Sequence, residues 1–262
     1  AMNPANGDMP LDGITTREPT YGLPAVWIKA AGRENALQKG FTVVDVPTVL
    51  TTHISDIIRR YGHELIGRQE VQKMLDNLKA SHPKVIEELI PGLLPLGGVV
   101  RVLQNLLMEQ VPVRDLLTIL ETLADWAPTV KDLDMLTEHV RQALSRTITR
   151  LYLTPDNTIS LITLDQEVEN TLSGAIQKNE QGSFMALDPA VAQTIINRVA
   201  RALEKFSGRG LQPIVMCSPQ IRLQFKKLVD RFIPHLVVLS YNDILTSVRV
   251  ESLGTVRISN AD

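Results

Sequence analysis

The residues best suited to hold a metal ion are the five histidines, and one of them begins a recognisable motif. His63 and Glu64 stand where the helix of a zinc protease places its first His-Glu pair. The second histidine, expected four residues after the first, is replaced by Gly67. No other His or Cys pair has the spacing of metal ligands. The sequence therefore predicts neither a metal site nor a cofactor, and His53 and His63 are expected on a helix face, satisfied by neighbours.

Two nucleophiles stand side by side at the end of a predicted strand, Cys217 and Ser218. A thiol between a strand and a helix N-terminus can have a lowered pKa, which would favour an enzyme that uses this C-terminal region. The alternative, which we favour, is that Cys217 is a small buried side chain at a strand end. Ser218 lacks the Gly-x-Ser-x-Gly elbow of hydrolases and is interpreted as a helix cap.

The sequence also shows neither a phosphate-binding loop nor a catalytic pair of carboxylates. The segment Gly208-Arg209-Gly210 precedes a predicted strand, whereas a phosphate loop follows one. Carboxylate pairs such as Glu87-Glu88 are typical of solvated helix faces. Because no nucleophile, base and orienting group assemble, we predict that the protein is not an enzyme and works by holding other proteins.

Composition narrows the class of protein further. A length of 262 residues with 44% apolar and 21% charged residues predicts two or three globular domains. A net charge of −2, with Lys and Arg spread along the chain, argues against a nucleic-acid partner. The single Cys217 is typical of a reducing compartment.

The sequence itself contains no membrane segment. No apolar run reaches the roughly 18–20 residues that span a bilayer, and no signal peptide appears. The opening Ala1-Met2 is typical of residues added by cloning, so we expect the natural chain to extend upstream, where a membrane anchor could lie.

The first 66 residues predict a small α/β unit. Residues 1–20 are rich in Pro, Gly, Asp and Thr and are interpreted as a linker or irregular edge. Strands are predicted over Ala25–Ile28 and Phe41–Asp45, with a helical turn from Glu34 to Lys39 that Gly40 ends. A helix is predicted from Thr48 to about Ile66 because Pro47 suits its first turn.

From Gly67 to about Thr149 the apolar spacing is almost purely helical, with the short connections of a compact bundle. The predicted helices are Arg68–Leu78, a short one from Pro83 to Pro91, Leu96–Met108, Val113–Trp126 and Asp134–Leu151.

After Tyr152 the pattern returns to alternating strands and helices. Asp165 is predicted to cap the first helix and Asp188-Pro189 to open the second. Strand, helix and strand in the order Pro213–Cys217, Gln220–Phe232, Leu236–Ser240 imply a parallel βαβ crossover. The predicted fold class is therefore α/β plus all-α: a small N-terminal α/β unit, a central helical bundle and a C-terminal α/β domain.

Three stretches are denser in constrained residues than a generic fold requires. Glu18–Ile28 holds two prolines, a glycine, Tyr21 and Trp27, a composition suited to a recognition surface or to a packed corner between domains. Thr42–His53 is a strand that passes into a helix through a proline. Glu64–Gln72 contains a helix break at Gly67, which predicts either a hinge or an ordinary helix–helix turn.

Together these stretches resemble the large export-gate component of type III secretion, the FHIPEP family. The family's E-P-A-F-G-L-P-A-x-W-I is similar to Glu18–Ile28, with Thr20 for Ala and Tyr21 for Phe. Its G-y-t-V-V-D-x-x-T-V-x-x-T-H and E-L-x-G-R-Q-E are similar to Gly40–His53 and Glu64–Glu70. Further matches follow in order at Val102–Leu107, Val113–Asp115, Ile119–Leu123, Leu136–Glu138, Val140–Leu144 and Val238–Asn242.

The resemblance implies a layout of subdomains. Residues 1–47 are similar to the family's second subdomain, 48–66 to a helix of a truncated first one, 67–150 to the third and 151–262 to the fourth. It implies the cytoplasmic part of a bacterial inner-membrane protein that forms a nine-membered ring and meets other export-apparatus proteins. Export chaperones carrying substrates would dock on it, and it would help order export. The flagellar branch is favoured over the injectisome branch, and a purely structural ring element is a further alternative.

The resemblance also implies a chaperone-binding site, an apolar dimple in the second subdomain and the adjoining helix. By motif position it would comprise Glu18, Tyr21, Val44, Val49 and Thr52. Tyr21 and the valines would form a shallow apolar floor, while Glu18 and Thr52 would hydrogen-bond at the rim. A short amphipathic helix would insert there.

Tyr21 provides the first test of this assignment. We expect Tyr21→Phe to be tolerated, because Phe is the family's usual residue, and Tyr21→Asp to abolish chaperone binding, because a charge would stand in an apolar floor. Titration with purified chaperone checks both, and unchanged binding by the Asp variant would contradict the assignment.

Overall fold

The computed structural model describes residues 1–2, 11–20, 22–179, 182–206 and 209–258. The chain divides into two compact units, residues 1–65 and residues 66–262. Each unit is described by itself. None of the described helices is both long and apolar enough to cross a membrane.

The first unit is built on a two-stranded antiparallel sheet. Strands β1 (Ile14–Arg17) and β2 (Pro24–Trp27) pair with Ile14 opposite Trp27. Helix α1 (Arg33–Gln38) follows, and Gly40 leaves it with φ +80°, a conformation that glycine adopts without strain. Helix α2 (Val46–Tyr61) then runs into a 3₁₀ turn, Gly62–Leu65.

Two predictions for this unit are wrong. Residues 14–17, predicted as part of a linker, form β1, because β2 takes them as its partner. Phe41–Asp45, predicted as a strand, forms one isolated bridge, Met2 to Thr42, among the described residues. Asp45 instead caps α2 by accepting a hydrogen bond from the Thr48 amide at 2.9 Å, so the helix begins at Val46. At its other end, the helix stops at Tyr61, earlier than predicted.

The second unit opens with six α-helices that share one apolar core, as the periodicity predicts. They are α3 (Arg68–Lys79), α4 (Pro83–Glu88), α5 (Leu96–Met108), α6 (Leu116–Trp126), α7 (Leu133–Ala143) and α8 (Ser145–Tyr152). A kinked turn, Leu89–Leu93, follows α4, with Ile90 in an extended conformation.

Two boundaries in the helical part differ from prediction. Helix α6 begins at Leu116, three residues later than predicted, because Asp115 caps it through the Thr118 amide. The helix predicted over Asp134–Leu151 is two helices, divided at the fully buried Leu144. Val140, Leu144 and Ile148 all lie in the core on either side of the break.

The rest of the second unit is a four-stranded parallel sheet with helices around it. Its strands are β3 (Thr158–Leu164), β6 (Ile214–Cys217), β7 (Val237–Ser240) and β8 (Arg249–Val256), in the order β7-β6-β3-β8. The helices are α9 (Gln166–Gly174), α10 (Pro189–Leu203) and α11 (Pro219–Val229). A hairpin, β4 (Ile176–Asn179) and β5 (Gly182–Met185), lies between α9 and α10.

The parallel pairing of β6 with β7 around α11 confirms the predicted βαβ unit. Asp165 and Asp188 cap their helices as predicted. Ser218 occupies the N-cap position, but its side chain makes no capping hydrogen bond, and its amide donates to Glu169 instead. The hairpin and β8 were not predicted.

A buried cluster of charged side chains joins the helical part of this unit to its sheet. Arg222 on α11 is fully buried and donates to both carboxylate oxygens of Glu109, at 2.7 and 3.0 Å, and to Glu138 on α7. Arg141 lies 3.1 Å from Glu109 and 3.3 Å from Asp243, which follows β7. Two arginines and three carboxylates therefore bind α7, α11 and the sheet together.

The charges in the cluster depend on one another. Burial opposes ionisation of Glu109, but Arg141 and Arg222 hold its pKa down at about 2. Burial likewise opposes the charge of Arg222, but Glu109 and Glu138 raise the pKa of that guanidinium well above its usual value. Burial raises the pKa of Glu138, and Arg222 offsets the rise only in part.

Removing the central arginine tests this cluster. We expect Arg222→Ala to lower the free energy of unfolding by about 3–5 kcal/mol, because it leaves Glu109 and Glu138 buried without their shared partner. Arg231→Ala, at an exposed position just beyond α11, is the matched control and should change it by less than about 0.5 kcal/mol. Urea unfolding followed by circular dichroism gives both values, and equal midpoints would contradict the role of the cluster.

Candidate functional site

A tight turn between β1 and β2 organises one side of the candidate site. The Glu18 amide donates to the Leu23 carbonyl at 2.8 Å, and the Gly22 amide donates to the Glu18 carbonyl at 2.9 Å. Gly22 has φ +68°, which glycine adopts freely. The Arg17 guanidinium closes the turn by donating to the Gly22 carbonyl at 2.8 Å. The backbone of this turn is therefore fixed by its own hydrogen bonds.

Next to this turn is a small pocket, here called the anchor pocket, with a volume of about 30 Å³. Glu18 lines it together with Val44 and Val49, which come from the segment that leads into α2 and from α2 itself. The rest of its lining is Ala1, Met2, Thr16, Arg17, Pro19, Ala25, Val26 and Trp27. A volume near that of one water molecule admits the tip of one apolar side chain and no more.

The five predicted site residues are not all placed in this pocket. Val44 and Val49 are half-buried and line it. Thr52 does not line it, although it lies on α2 three residues after Val49, on the same helix face. Tyr21 lies outside the described residues.

Glu18 is more buried than the rim position that the resemblance implied. Its side chain is 7% exposed, and its carboxylate accepts a hydrogen bond from the Thr20 amide at 2.9 Å. Glu18 therefore stabilises the turn and also lines the pocket.

A larger cavity adjoins the anchor pocket and is here called the basic groove. Its volume is about 640 Å³, and it shares Ala1, Trp27 and Val44 with the anchor pocket. Its charged lining residues are Lys29, Arg33 and Asp45. A hydrogen bond with Thr48 and the positive charge of Arg33 lower the pKa of Asp45.

Sequence reasoning missed the two cations of the basic groove. Lys29 and Arg33 follow Trp27 closely in the sequence, and that succession of an aromatic residue and two basic residues was the available signal. Net charge and the distribution of Lys and Arg over the whole chain do not reveal this local pair of cations. Trp27, 41% exposed, stands between the two cavities.

The fold and this site match one class of protein. The family model described as "FHIPEP family" matches residues 1–249, so the chain belongs to the FHIPEP family. The chain is 41% identical, over 98% of its length, to the flagellar biosynthesis protein FlhA of Bacillus subtilis. It spans 38% of the length of that relative. The resemblance inferred from the motifs is confirmed.

Several solved structures share this fold, and one of them, EscV, comes from a type III secretion system. The CdsV protein of Chlamydia pneumoniae superposes with a TM-score of 0.82 and 29% identity, over 93% of this chain and 70% of that one. CdsV in complex with CdsO superposes with a TM-score of 0.79, over 91% and 69%. The nonameric EscV cytosolic domain gives 0.72 with 27% identity, over 90% and 69%.

Cys217, the candidate nucleophile, lies in an apolar environment. It is fully buried in the second core of the larger unit, and burial raises the pKa of its thiol. A raised pKa keeps the thiol protonated and unreactive at neutral pH. Within the described ranges, no three His, Cys, Asp or Glu side chains are grouped so that they could hold a metal ion.

The reactivity of Cys217 is directly measurable. We expect it to react slowly with Ellman's reagent in the native protein and fast in denaturant, because both burial and the raised pKa oppose thiolate attack. The control is Cys217→Ala/Ser252→Cys, which moves the thiol to an exposed position on β8 and should react fast in the native state. Equally fast native reaction of both proteins, or loss of export in Cys217→Ala, would favour the enzyme alternative.

Proposed function

We propose that this chain is part of the flagellar type III protein export gate and acts there as a non-catalytic docking platform. It binds export chaperone–substrate complexes and helps order substrate export. Membership of the FHIPEP family supports the export role. The observation that carries the docking role is that Glu18 lines one largely apolar pocket together with Val44 and Val49, which lie about thirty residues away, beside an exposed tryptophan.

Docking at this site needs no chemistry beyond burial. An amphipathic helix that places one apolar side chain into the anchor pocket removes that side chain and part of Trp27 from water. Burial of the tip of one apolar side chain contributes about 0.8 kcal/mol for each CH₂ or CH₃ group that leaves water. Hydrogen bonds of Glu18 and Gly22 already close the neighbouring turn in the unbound chain, which lowers the ordering cost of docking.

We propose the flagellar branch over the injectisome branch. The curated relative from Bacillus subtilis is a flagellar protein at 41% identity, whereas the injectisome protein CdsV is 29% identical. The injectisome alternative shares the fold, so this choice rests on sequence similarity alone.

Assembly, partners and location are also proposed from relatives. EscV forms a nonamer and CdsV binds CdsO, which supports a nonameric ring and contacts with other export-apparatus proteins for the full-length protein. We place this chain in the cytoplasmic part of an inner-membrane protein.

The layout of subdomains remains a proposal as well. Helix α2, wholly within the described part of the chain, buries none of its residues and exposes an apolar stripe that includes Leu50, Ile54 and Ile58. This supports assigning residues 48–66 to a first subdomain whose other elements are absent from this chain. The boundaries 1–47, 67–150 and 151–262 follow the same scheme.

Substitution of the pocket valines tests the docking role. We expect Val44→Asp and Val49→Asp each to weaken binding of purified flagellar export chaperones, loaded with their substrates, by at least about tenfold, because a carboxylate then replaces apolar floor. Isothermal titration calorimetry measures the affinity, and tryptophan fluorescence with circular dichroism checks folding.

The matched control is Val250→Asp on the exposed part of β8, in the other unit, which should bind as wild type does. Val44→Ile should also bind, since it keeps the floor apolar. Wild-type affinity in both pocket Asp variants would reject the docking site, and absence of chaperone binding by the unaltered protein would reject the docking function.

A further inference from the structure

The anchor pocket and the basic groove are neighbouring cavities in the unit of residues 1–65. Ala1, Trp27 and Val44 line both cavities. The anchor pocket, at about 30 Å³, holds no more than a side-chain tip, whereas the groove offers about 640 Å³. A helix anchored in the pocket must therefore lie with its body over a neighbouring surface, and the groove is the cavity that adjoins it.

Among the described residues, the cations of the basic groove have no partner of opposite charge in ion-pair contact. Lys29 and Arg33 are exposed, and neither forms an ion pair with any residue that the structure describes. The acidic residue of the groove is Asp45, whose carboxylate caps α2 through the Thr48 amide. The charges on the anchor-pocket side are held locally, since Arg17 donates to the Gly22 carbonyl and Glu18 accepts from Thr20.

These charges restrict what can cover the groove. Covering a cation without giving it a partner removes its hydration and costs free energy. A segment that inserts beside Trp27 and then lies over Lys29 and Arg33 must therefore bring carboxylates, and a segment with basic residues there would be repelled. A nucleic acid would satisfy the charges but would leave the valine floor and the anchor pocket unfilled.

We propose that the segment received here is an acidic amphipathic helix of the export chaperone–substrate complex. One apolar side chain enters the anchor pocket, and carboxylates about one to two helical turns away pair with Lys29 and Arg33. The proposal rests on the docking function proposed above and adds the charge of the partner that the site selects. Complementary charge at a rim acts mainly on the association rate and on the choice of partner.

Charge reversal separates this proposal from the docking function itself. The probe is the set of purified flagellar export chaperone–substrate complexes, titrated against the full chain at low and high salt. We expect Lys29→Glu/Arg33→Glu to weaken binding about tenfold at low salt and less at high salt, where screening already removes the attraction. The conservative pair Lys29→Arg/Arg33→Lys should retain binding.

The matched control is Lys39→Glu/Arg59→Glu, which changes the net charge equally at two exposed positions of the same unit that line neither cavity. Its affinity should stay near wild type. An equal loss in the control would show a general charge effect and overturn the proposal. Unchanged or tighter binding by Lys29→Glu/Arg33→Glu, while Val44→Asp abolishes binding, would overturn it and leave the docking function standing. If the unaltered protein bound no chaperone, or if Val44→Asp and Val49→Asp bound as tightly as it does, both would fall.

Carbodiimide coupling gives an independent readout. A carboxylate within reach of the Lys29 amine forms an amide with it, and mass spectrometry identifies both residues. We expect a cross-link from Lys29 to an Asp or Glu of the chaperone or its substrate, lost when Val44→Asp removes docking. Cross-links only at other lysines would contradict the proposal, as would displacement of the chaperone by a short single-stranded DNA.

Discussion

The interaction on which the larger unit depends is that of Arg222 with Glu109 and Glu138. Three buried charges would each be costly alone, because leaving water for a protein interior penalises an unpaired ion by several kcal/mol. Here the guanidinium meets two carboxylates in hydrogen-bonding geometry, and Arg141 and Asp243 extend the cluster. Such a cluster is stabilising only while it is complete, so it fixes the helical part and the sheet in one relative arrangement.

The smaller unit is held in a different way. Its apolar core is slight, including Ala25, Val26, Ala36 and Phe41, and its shape depends on backbone hydrogen bonds in the turn at Glu18 and on the capping of α2 by Asp45. These local hydrogen bonds leave apolar surface exposed at the anchor pocket and along α2. A unit with little core and open apolar surface is suited to binding other proteins, which agrees with the proposed docking role.

Local features of the fold were predictable because their causes are local. Amphipathic spacing predicted the helices of the bundle. Asp165 and Asp188 predicted where two helices begin, and Gly40 predicted where α1 ends. The wrong predictions concern partners. Val43 and Val44 have the composition of a strand, but strand propensity yields a strand only where another chain segment pairs with it. For β8 and the β4–β5 hairpin, weak local patterns became strands because tertiary neighbours completed their hydrogen bonding.

The sequence by itself determined the family, the helical segments and the set of residues proposed for docking, since motifs and periodicity are properties of the chain. Tertiary structure alone decided that Thr52 does not line the pocket of Glu18, Val44 and Val49, and that Lys29 and Arg33 line the neighbouring groove. It also brought Arg222 to carboxylates more than eighty residues away. The physical reason is the same in each case. Whether distant residues come together depends on which faces of the helices and strands pack against each other. Packing is determined by the whole unit and cannot be judged from a short stretch of sequence.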